Sequence, residues 1–255
     1  MKTTLFIPVK NEITGIQEIM PKIDQGWVDE VVVVDGQSTD GTKAWFLDRG
    51  YSVVDQTTAG IGGAYWDCLA HATGDIIIAF SPDGNSLPEL IPVLRDRMAE
   101  GRDMVIASRY RDGAKSDDDD KVTAFGNWMF TKIVNMFFGG SYTDTLVMLR
   151  AFRKDLPERL GMAPTEYPVF EYVLSIRCAK QSAEVLEIPG DEPSRLGDVR
   201  KMKPLYNGTA LLLVALNELI PIRDWIPEYL WPHCAKPQKS VRNRSVHPAS
   251  SKETA

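Results

Sequence analysis

At 255 residues with 44% hydrophobic content, the chain is long and apolar enough to bury the core of one large domain or two small ones. A formal net charge of −6 argues against a general nucleic-acid binder. Cys68, Cys178 and Cys234 form neither a zinc spacing nor a disulfide framework, which points to a reducing compartment.

Elements alternate through the first 110 residues. Strands are expected at Thr3–Pro8, Glu30–Asp35, Tyr51–Val54, Asp75–Phe80 and Asp103–Ser108, where β-branched runs suit a buried parallel sheet. Helices are expected at Thr14–Ile23, Thr42–Arg49, Gly62–Ala72 and Leu87–Glu100, with Asp40 placed to cap the second and Pro88 near the start of the last. The alternation predicts an α/β fold, a doubly wound and mostly parallel sheet flanked by helices.

The pattern then changes. Asp117–Asp120 reads as a solvated acidic loop. An aromatic-rich helix is expected over residues 122–138, a strand at Leu146–Phe152, a helix at Val169–Lys180, a short strand at Ala183–Ile188 and a long helix over residues 204–220. From Ala235 the chain is polar and basic and reads as a disordered tail over 235–255. The expected organisation is one domain over residues 1–234, with a nucleotide half at about 1–110 and an acceptor half at about 111–234. No basic and apolar leader precedes the first strand, and no run reaches the roughly 20 apolar residues of a membrane span. The expected location is cytoplasmic, free or peripheral on the inner face of the membrane. Leu216–Trp231 offers aromatic and apolar residues beside Arg223, either as an interfacial segment or as packing for the last helix.

Three apolar runs end in polar groups. Leu5–Pro8 runs into Asn11 and Glu12, Val31–Val34 into Asp35, and Ile76–Phe80 into Ser81-Pro82-Asp83-Gly84-Asn85. Ligands of α/β proteins bind at the carboxyl ends of strands, and a carboxylate there can hold a divalent metal against a diphosphate. In Asp35-Gly36-Gln37-Ser38-Thr39-Asp40-Gly41-Thr42 the acidic side chains suit base N–H and ribose hydroxyl groups. Read as plain structure, Asp40 is an N-cap and Asp35 a turn residue. Gly60-Ile61-Gly62-Gly63-Ala64 precedes a helix and is a second candidate diphosphate cradle.

These segments occur in an order that resembles family-2 inverting glycosyltransferases of GT-A fold, most of all the polyprenyl-phosphate branch that includes dolichyl-phosphate mannose synthases. The likeness continues through Ala72–Asp75, Ala107–Tyr110, Asp144-Thr145, Phe152-Arg153, Phe170-Glu171, Glu187–Pro189 and Arg195–Lys201. It implies transfer of a sugar from a nucleoside-diphosphate sugar to an acceptor such as a polyprenyl phosphate, in cell-envelope or polysaccharide biosynthesis. Pro8, Asn11, Glu12, Asp35, Ser38, Asp40, Gly62 and Asp83 would bind the sugar nucleotide. Asp83, with Asn85, would hold Mg²⁺ or Mn²⁺. Arg109, Arg153, Arg195, Arg200 and Lys201 would face the acceptor phosphate, with Arg195–Lys203 a closing loop. Asp83, Arg109 and Asp144 are the catalytic candidates. Asp144 would be the base for a hydroxyl acceptor, or would position Arg153 or the sugar. An anionic phosphate needs no base.

The chain departs from the family at Ser81, where Asp-Xaa-Asp is usual. Mg²⁺ is often held by one or two carboxylates plus substrate phosphates, so Asp83 can suffice. A catalytically degenerate nucleotide-sugar binder and a transferase with a soluble hydroxyl acceptor are the competing readings. A nucleotidyltransferase is disfavoured, because Pro8-Val9-Lys10-Asn11-Glu12 has no glycine. The expected partners are a nucleotide sugar, a polyprenyl phosphate and a membrane surface, and not nucleic acid. Base, sugar and oligomeric state are open.

Overall fold

The computed structural model describes residues 1–164, 169–196 and 204–220. Its centre is a seven-stranded sheet of order β3-β2-β1-β4-β6-β5-β7. The strands are β1 (Thr3–Val9), β2 (Glu30–Asp35), β3 (Ser52–Asp55), β4 (Ile76–Ala79), β5 (Met104–Ser108), β6 (Arg150–Arg153) and β7 (Val185–Pro189). β1 pairs in parallel with β2 and β4, β2 with β3, and β5 with β7. β6 is inserted between β4 and β5 and is antiparallel to both.

Side chains alternate across the pleat and separate two apolar layers. Leu5, Ile7 and Val33 face α1 (Ile13–Ile19), α2 (Thr42–Leu47) and α4 (Leu90–Met98) through Ile16, Phe46 and Leu94. Phe6, Val32 and Val34 face the opposite way. There they meet Tyr65 of α3 (Ile61–His71), Phe130 of α5 (Lys121–Phe138), Tyr172 of α7 (Phe170–Lys180) and Leu211 of α8 (Pro204–Leu219). A short α6 (Leu156–Arg159) follows β6.

Several elements are shorter than expected, and two of them have a clear local reason. The first helix ends at Ile19 and continues as a 3₁₀ turn over Met20–Lys22, where Pro21 has no N–H for a helical bond. The strand expected at Leu146 begins at Arg150, because the N–H groups of Leu146 and Val147 are drawn to the Asp144 carboxylate at 3.1 and 3.2 Å. Arg150 is fully buried and ties this turn to α7, donating to the backbone oxygens of Val147 at 3.0 Å and Thr145 and Glu171 at 3.2 Å, and to Ser175 Oγ at 3.1 Å.

The carboxyl ends of β1, β2, β4, β5 and β7 lie along one edge of the sheet. Between β1 and β4 the chain order reverses, the place where open α/β sheets bind ligands. The α5–α8 layer extends from the same edge.

Candidate active site

The turns after β1 and β2 interlock. Asn11 donates its N–H to Ser38 Oγ at 2.9 Å, and its side-chain oxygen accepts the Thr39 N–H at 2.7 Å. The Glu12 N–H goes to Thr42 Oγ1 at 2.9 Å. Asp40 accepts the N–H groups of Ile13 and Thr42, both at 3.0 Å, so it ties the starts of α1 and α2 together, while the N-cap position of α2 expected for it is held by Gly41. Burial opposes its charge, but the Thr42 and Ile13 bonds hold its carboxyl below the ordinary aspartate range. Asp35 is different. It is buried at the end of β2, one oxygen accepts the Ser38 N–H at 3.1 Å, and the other has no partner among the described residues. A buried carboxylate oxygen without a donor is costly, and a base N–H or ribose hydroxyl would satisfy it. Pro8 lies in β1 opposite Val34, and Gly62 is buried in the first turn of α3.

The turn after β4 carries Ser81, Asp83 and Asn85 into a cleft of about 200 Å³, shared with Arg109, Asp191 and Glu192. Two glycines let other segments approach it. A Cβ at Gly15 of α1 would stand 2.4 Å from the Pro82 carbonyl oxygen. Gly84 has φ +92°, and a Cβ there would meet Leu196 at 2.6 Å. The Leu196 N–H is bonded to the Asp83 carbonyl at 2.6 Å.

Among the described residues no three His, Cys, Asp or Glu side chains are grouped as a ligand set. The oxygens of Asp83, Asn85 and Ser81 are hard donors around a cleft, a set that fits Mg²⁺ or Mn²⁺ arriving with a diphosphate and not a free-standing metal site. Arg195 Nη1 lies 3.9 Å from Asp83 Oδ2.

Beside this cleft, Asp144 grips Arg109 through Nε at 2.6 Å and Nη2 at 3.0 Å. Asp144 is 0% exposed. Full burial alone would push its carboxyl up, but the Arg109 guanidinium and the Leu146 N–H hold it below the ordinary range. This corrects the expectation of Asp144 as a general base. It is closed off from solvent with both oxygens engaged, and the residue it positions is Arg109, not Arg153. Glu187 fixes the turn in its place, accepting the Thr143 and Asp144 N–H groups at 2.9 Å.

Arg153 is a second correction. It ends β6, and because β6 runs antiparallel this end pairs with Ile76 at the start of β4, on the opposite edge of the sheet. Its ionic neighbour there is Asp155 at 3.5 Å.

The acidic run is corrected in part, at Asp118 and Asp119. Asp118 holds Arg195 at 2.6 and 3.0 Å. Asp119, with its side chain only 4% exposed, accepts from Asn127 at 3.0 Å and from the Tyr110 hydroxyl, and lies 3.8 Å from Arg109. Asp120 caps α5 by accepting the Thr123 N–H at 2.8 Å. Asp118 and Asp119 are thus satisfied by donors within the protein, while Asp117 and Asp120 are exposed as expected of a solvated loop.

Arg109 and Arg195 thus share a second cavity, about 320 Å³, lined also by Asp118, Asp119, Glu171 and Glu192. Burial pushes the Glu171 and Glu192 carboxyls up, against the nearby Arg150 and Arg109 respectively. Motif reading did not single out Glu192, since its partners Ser116 and Arg109 are distant in sequence. The cavity continues past Thr123, Asn127, Leu146, Asn207 and Leu211 into an apolar groove of about 440 Å³ between α5 and α8. Phe125 and Leu212 line that groove and are 61% and 46% exposed. Arg200 and Lys201, most of the expected loop, the Pro221–Trp231 part of the aromatic segment and the 235–255 tail lie outside the described residues. No described helix is long and apolar enough to cross a membrane.

Residues 4–161 match the model of glycosyl transferase family 2. A dolichol-phosphate mannosyltransferase of Pyrococcus furiosus is 30% identical over 200 residues, covering 74% of this chain and 56% of that protein, so the chain spans little more than half of this relative. A polyprenol monophosphomannose synthase of Mycolicibacterium smegmatis is 24% identical, covering 84% of this chain and 86% of that one. Among solved structures, glucosyl-3-phosphoglycerate synthase of Mycobacterium tuberculosis, crystallised with Mn²⁺, UDP and phosphoglyceric acid, has the same GT-A fold. Its TM-score is 0.66 at 24% identity, covering 89% of this chain and 80% of that one. The mostly parallel sheet, the carboxylates at its strand ends and the matched span agree: the chain belongs to glycosyl transferase family 2.

Proposed function

We propose that this protein transfers a hexose from a nucleoside-diphosphate sugar to the phosphate of a polyprenyl phosphate, with inversion at the anomeric carbon. One observation carries the acceptor half of this reading. The cavity shared by Arg109 and Arg195 joins the Asp83 cleft on one side and an apolar groove on the other, a layout suited to a phosphate head with a hydrocarbon tail.

The donor reading rests on Asp35, whose unpartnered oxygen suits a nucleoside N–H or hydroxyl, and on Asp83 beside the diphosphate position. A divalent cation held by Asp83 and Asn85 would neutralise charge on the leaving diphosphate. Arg109, oriented by Asp144, would hold the acceptor oxygen in line behind the sugar. That oxygen is already anionic, so the pinned state of Asp144 is no obstacle. Segments 190–196 and 115–120, joined by the pairing of Ser116 with Glu192, would exclude water from the transfer point. With an exposed α5–α8 face and no spanning helix among the described residues, the reading is of a protein working at a membrane surface.

A hydroxyl acceptor is favoured by one observation. Four carboxylates and two arginines line the acceptor cavity, and Glu171 or Glu192, both with raised carboxyls, could serve as base. The Ser81 departure keeps a non-catalytic sugar-nucleotide binder in view.

The deciding experiment titrates the protein with UDP-, GDP-, CDP- and dTDP-sugars, with and without Mg²⁺ or Mn²⁺, and with a short-chain polyprenyl phosphate or a soluble polyol as acceptor. Release of nucleoside diphosphate that requires the lipid phosphate supports the proposal. Release that requires the polyol supports the second reading, and binding without release supports the third.

A further inference from the structure

Glu192 stands where the donor cleft meets the acceptor cavity and lines both. Its backbone is fixed, with its N–H bonded to the Lys115 carbonyl and its own carbonyl accepting the Asp117 N–H, each at 2.8 Å. Its side chain is held less firmly. The Ser116 hydroxyl donates to it, while Arg109 Nη1 lies 3.3 and 3.5 Å from its two oxygens and Asn85 Nδ2 lies at 3.5 Å. Asp144 grips the other edge of the same guanidinium at 2.6 and 3.0 Å. Charge-assisted N–H···O bonds close to about 2.7–2.9 Å, so one edge of Arg109 is clamped and the other is loosely shared. Among the described residues, the ionic neighbours of the loose edge are carboxylates, Glu192 and, at 3.8 Å, Asp119.

We propose that the Glu192 carboxylate is a resident anion on the outer edge of Arg109, displaced when an acceptor phosphate monoester binds, and that it thereby sets acceptor selectivity. The inference rests on the reading of the Arg109 cavity as the acceptor-phosphate seat. A phosphate brings more charge and more oxygens than the carboxylate it replaces. It must still overcome Glu192 and the repulsion of Asp118, Asp119 and Glu171 around the same cavity. A free phosphate or small soluble ester has nothing beyond the phosphate to offset this. An acceptor whose hydrocarbon also occupies the α5–α8 groove does. Selectivity then comes from an element that repels the wrong ligand as much as from contacts to the right one. Because the Glu192 backbone is bonded on both sides, displacement needs only rotation of its side chain. A purely structural Glu192 makes the opposite prediction, since neutralising it would loosen Arg109 and weaken every anion.

The test is calorimetric titration of the full chain, as wild type, Glu192→Gln and Arg109→Gln, with inorganic phosphate, glycerol phosphate and a short-chain polyprenyl phosphate in detergent. In Glu192→Gln the two soluble phosphates are expected to bind roughly tenfold more tightly and the lipid phosphate to gain less, with acceptor KM falling and kcat not rising. Unchanged or weaker binding of the soluble phosphates, in a variant that melts like wild type, overturns the inference. If Glu192→Gln does not fold, Ser116→Ala, which removes only the hydroxyl holding the carboxylate, carries the same prediction at smaller size. Arg109→Gln separates the two levels of argument: in a variant with native secondary structure and a cooperative melt, loss of phosphate binding upholds the acceptor seat whatever Glu192 does, and its persistence overturns the seat and the Glu192 inference together. If it does not fold, Arg109→Lys, which keeps the charge beside Asp144 but not the fork, is read in the same way.

Discussion

Arg195 reaches from the segment after β7 to Asp118 in the loop before α5, bonded at 2.6 and 3.0 Å, and in doing so comes within 3.9 Å of Asp83. One side chain therefore connects the turn after β4 to the loop before α5, the proposed donor and acceptor sides of the site. Replacing Asp118 with Asn is expected to free Arg195 and raise acceptor KM severalfold, with donor binding little changed. Steady-state kinetics with each substrate varied in turn checks this, and a matching rise in donor KM would count against it.

Asp144→Asn leaves Arg109 buried without its counter-charge. Breaking one side of a buried pair costs about 3–5 kcal/mol, so the denaturant midpoint should fall at unchanged slope. Activity should fall as well, because Arg109 loses its orientation.

The sign of the pH dependence differs between two buried carboxyls. Asp144 has its carboxyl held down, so its stabilisation is present above the unfolded aspartate pKa and is lost as pH falls through the folded value. Glu171 has its carboxyl pushed up by burial. Between its unfolded and folded values the native state binds more protons, so stability falls as pH rises across that window. Glu171→Gln should therefore stabilise the protein at neutral pH, with the gain vanishing as pH drops below the ordinary glutamate range. Thermal melts of both proteins across pH 3–8 test this, and a pH-independent difference would contradict it.

At the donor turn, Asp83→Ala is expected to lower nucleoside-diphosphate release by about 10²–10³-fold, the loss typical of a removed electrostatic stabiliser. Ser81→Asp restores the second carboxylate and should lower the metal concentration needed for half-maximal rate. Titration of Mg²⁺ and Mn²⁺ against rate distinguishes the two effects.

Phe125 and Leu212 line the groove proposed for the acceptor's hydrocarbon. Phe125→Ser, alone or with Leu212→Ser, should raise KM for a long-chain polyprenyl phosphate by about tenfold. A water-soluble phosphate ester should be unaffected, and stability should change little, because both side chains are already exposed. Equal effects on both acceptors would place the hydrocarbon elsewhere.

How far the chain could be read beforehand follows from which forces are local. The β-branched runs Val31–Val34 and Ile76–Ile78 announce buried parallel strands, and the polar turns that end them announce the ligand edge. The placement of Asp35 and Asp83 at the carboxyl ends of their strands was legible for that reason. The direction of β6 is not legible, because the apolar run Leu146–Phe152 reads the same either way, so nothing in the sequence could test the Arg153 role that the family resemblance implies. The Asp117–Asp120 run looked solvated because like charges repel when considered alone, while the Arg195 that accommodates Asp118 is 77 residues away. Glu192 was invisible on the same grounds, its hydroxyl partner Ser116 being 76 residues distant.

The reversed strand has a consequence of its own. The chain leaves the sheet at Ser108, at the edge that carries the candidate site, and next enters it at Arg150 after a single long excursion. Arg109, the acidic run, α5 and Asp144 all belong to it. The polar turns of the donor end sit before it, in the first four strands. The excursion supplies only one wall of the proposed acceptor cavity, since Glu171, Glu192, Arg195 and Leu211 come from later in the chain, and its Phe130 and Val134 are part of the core, so a change of acceptor would have to alter both walls without disturbing that packing.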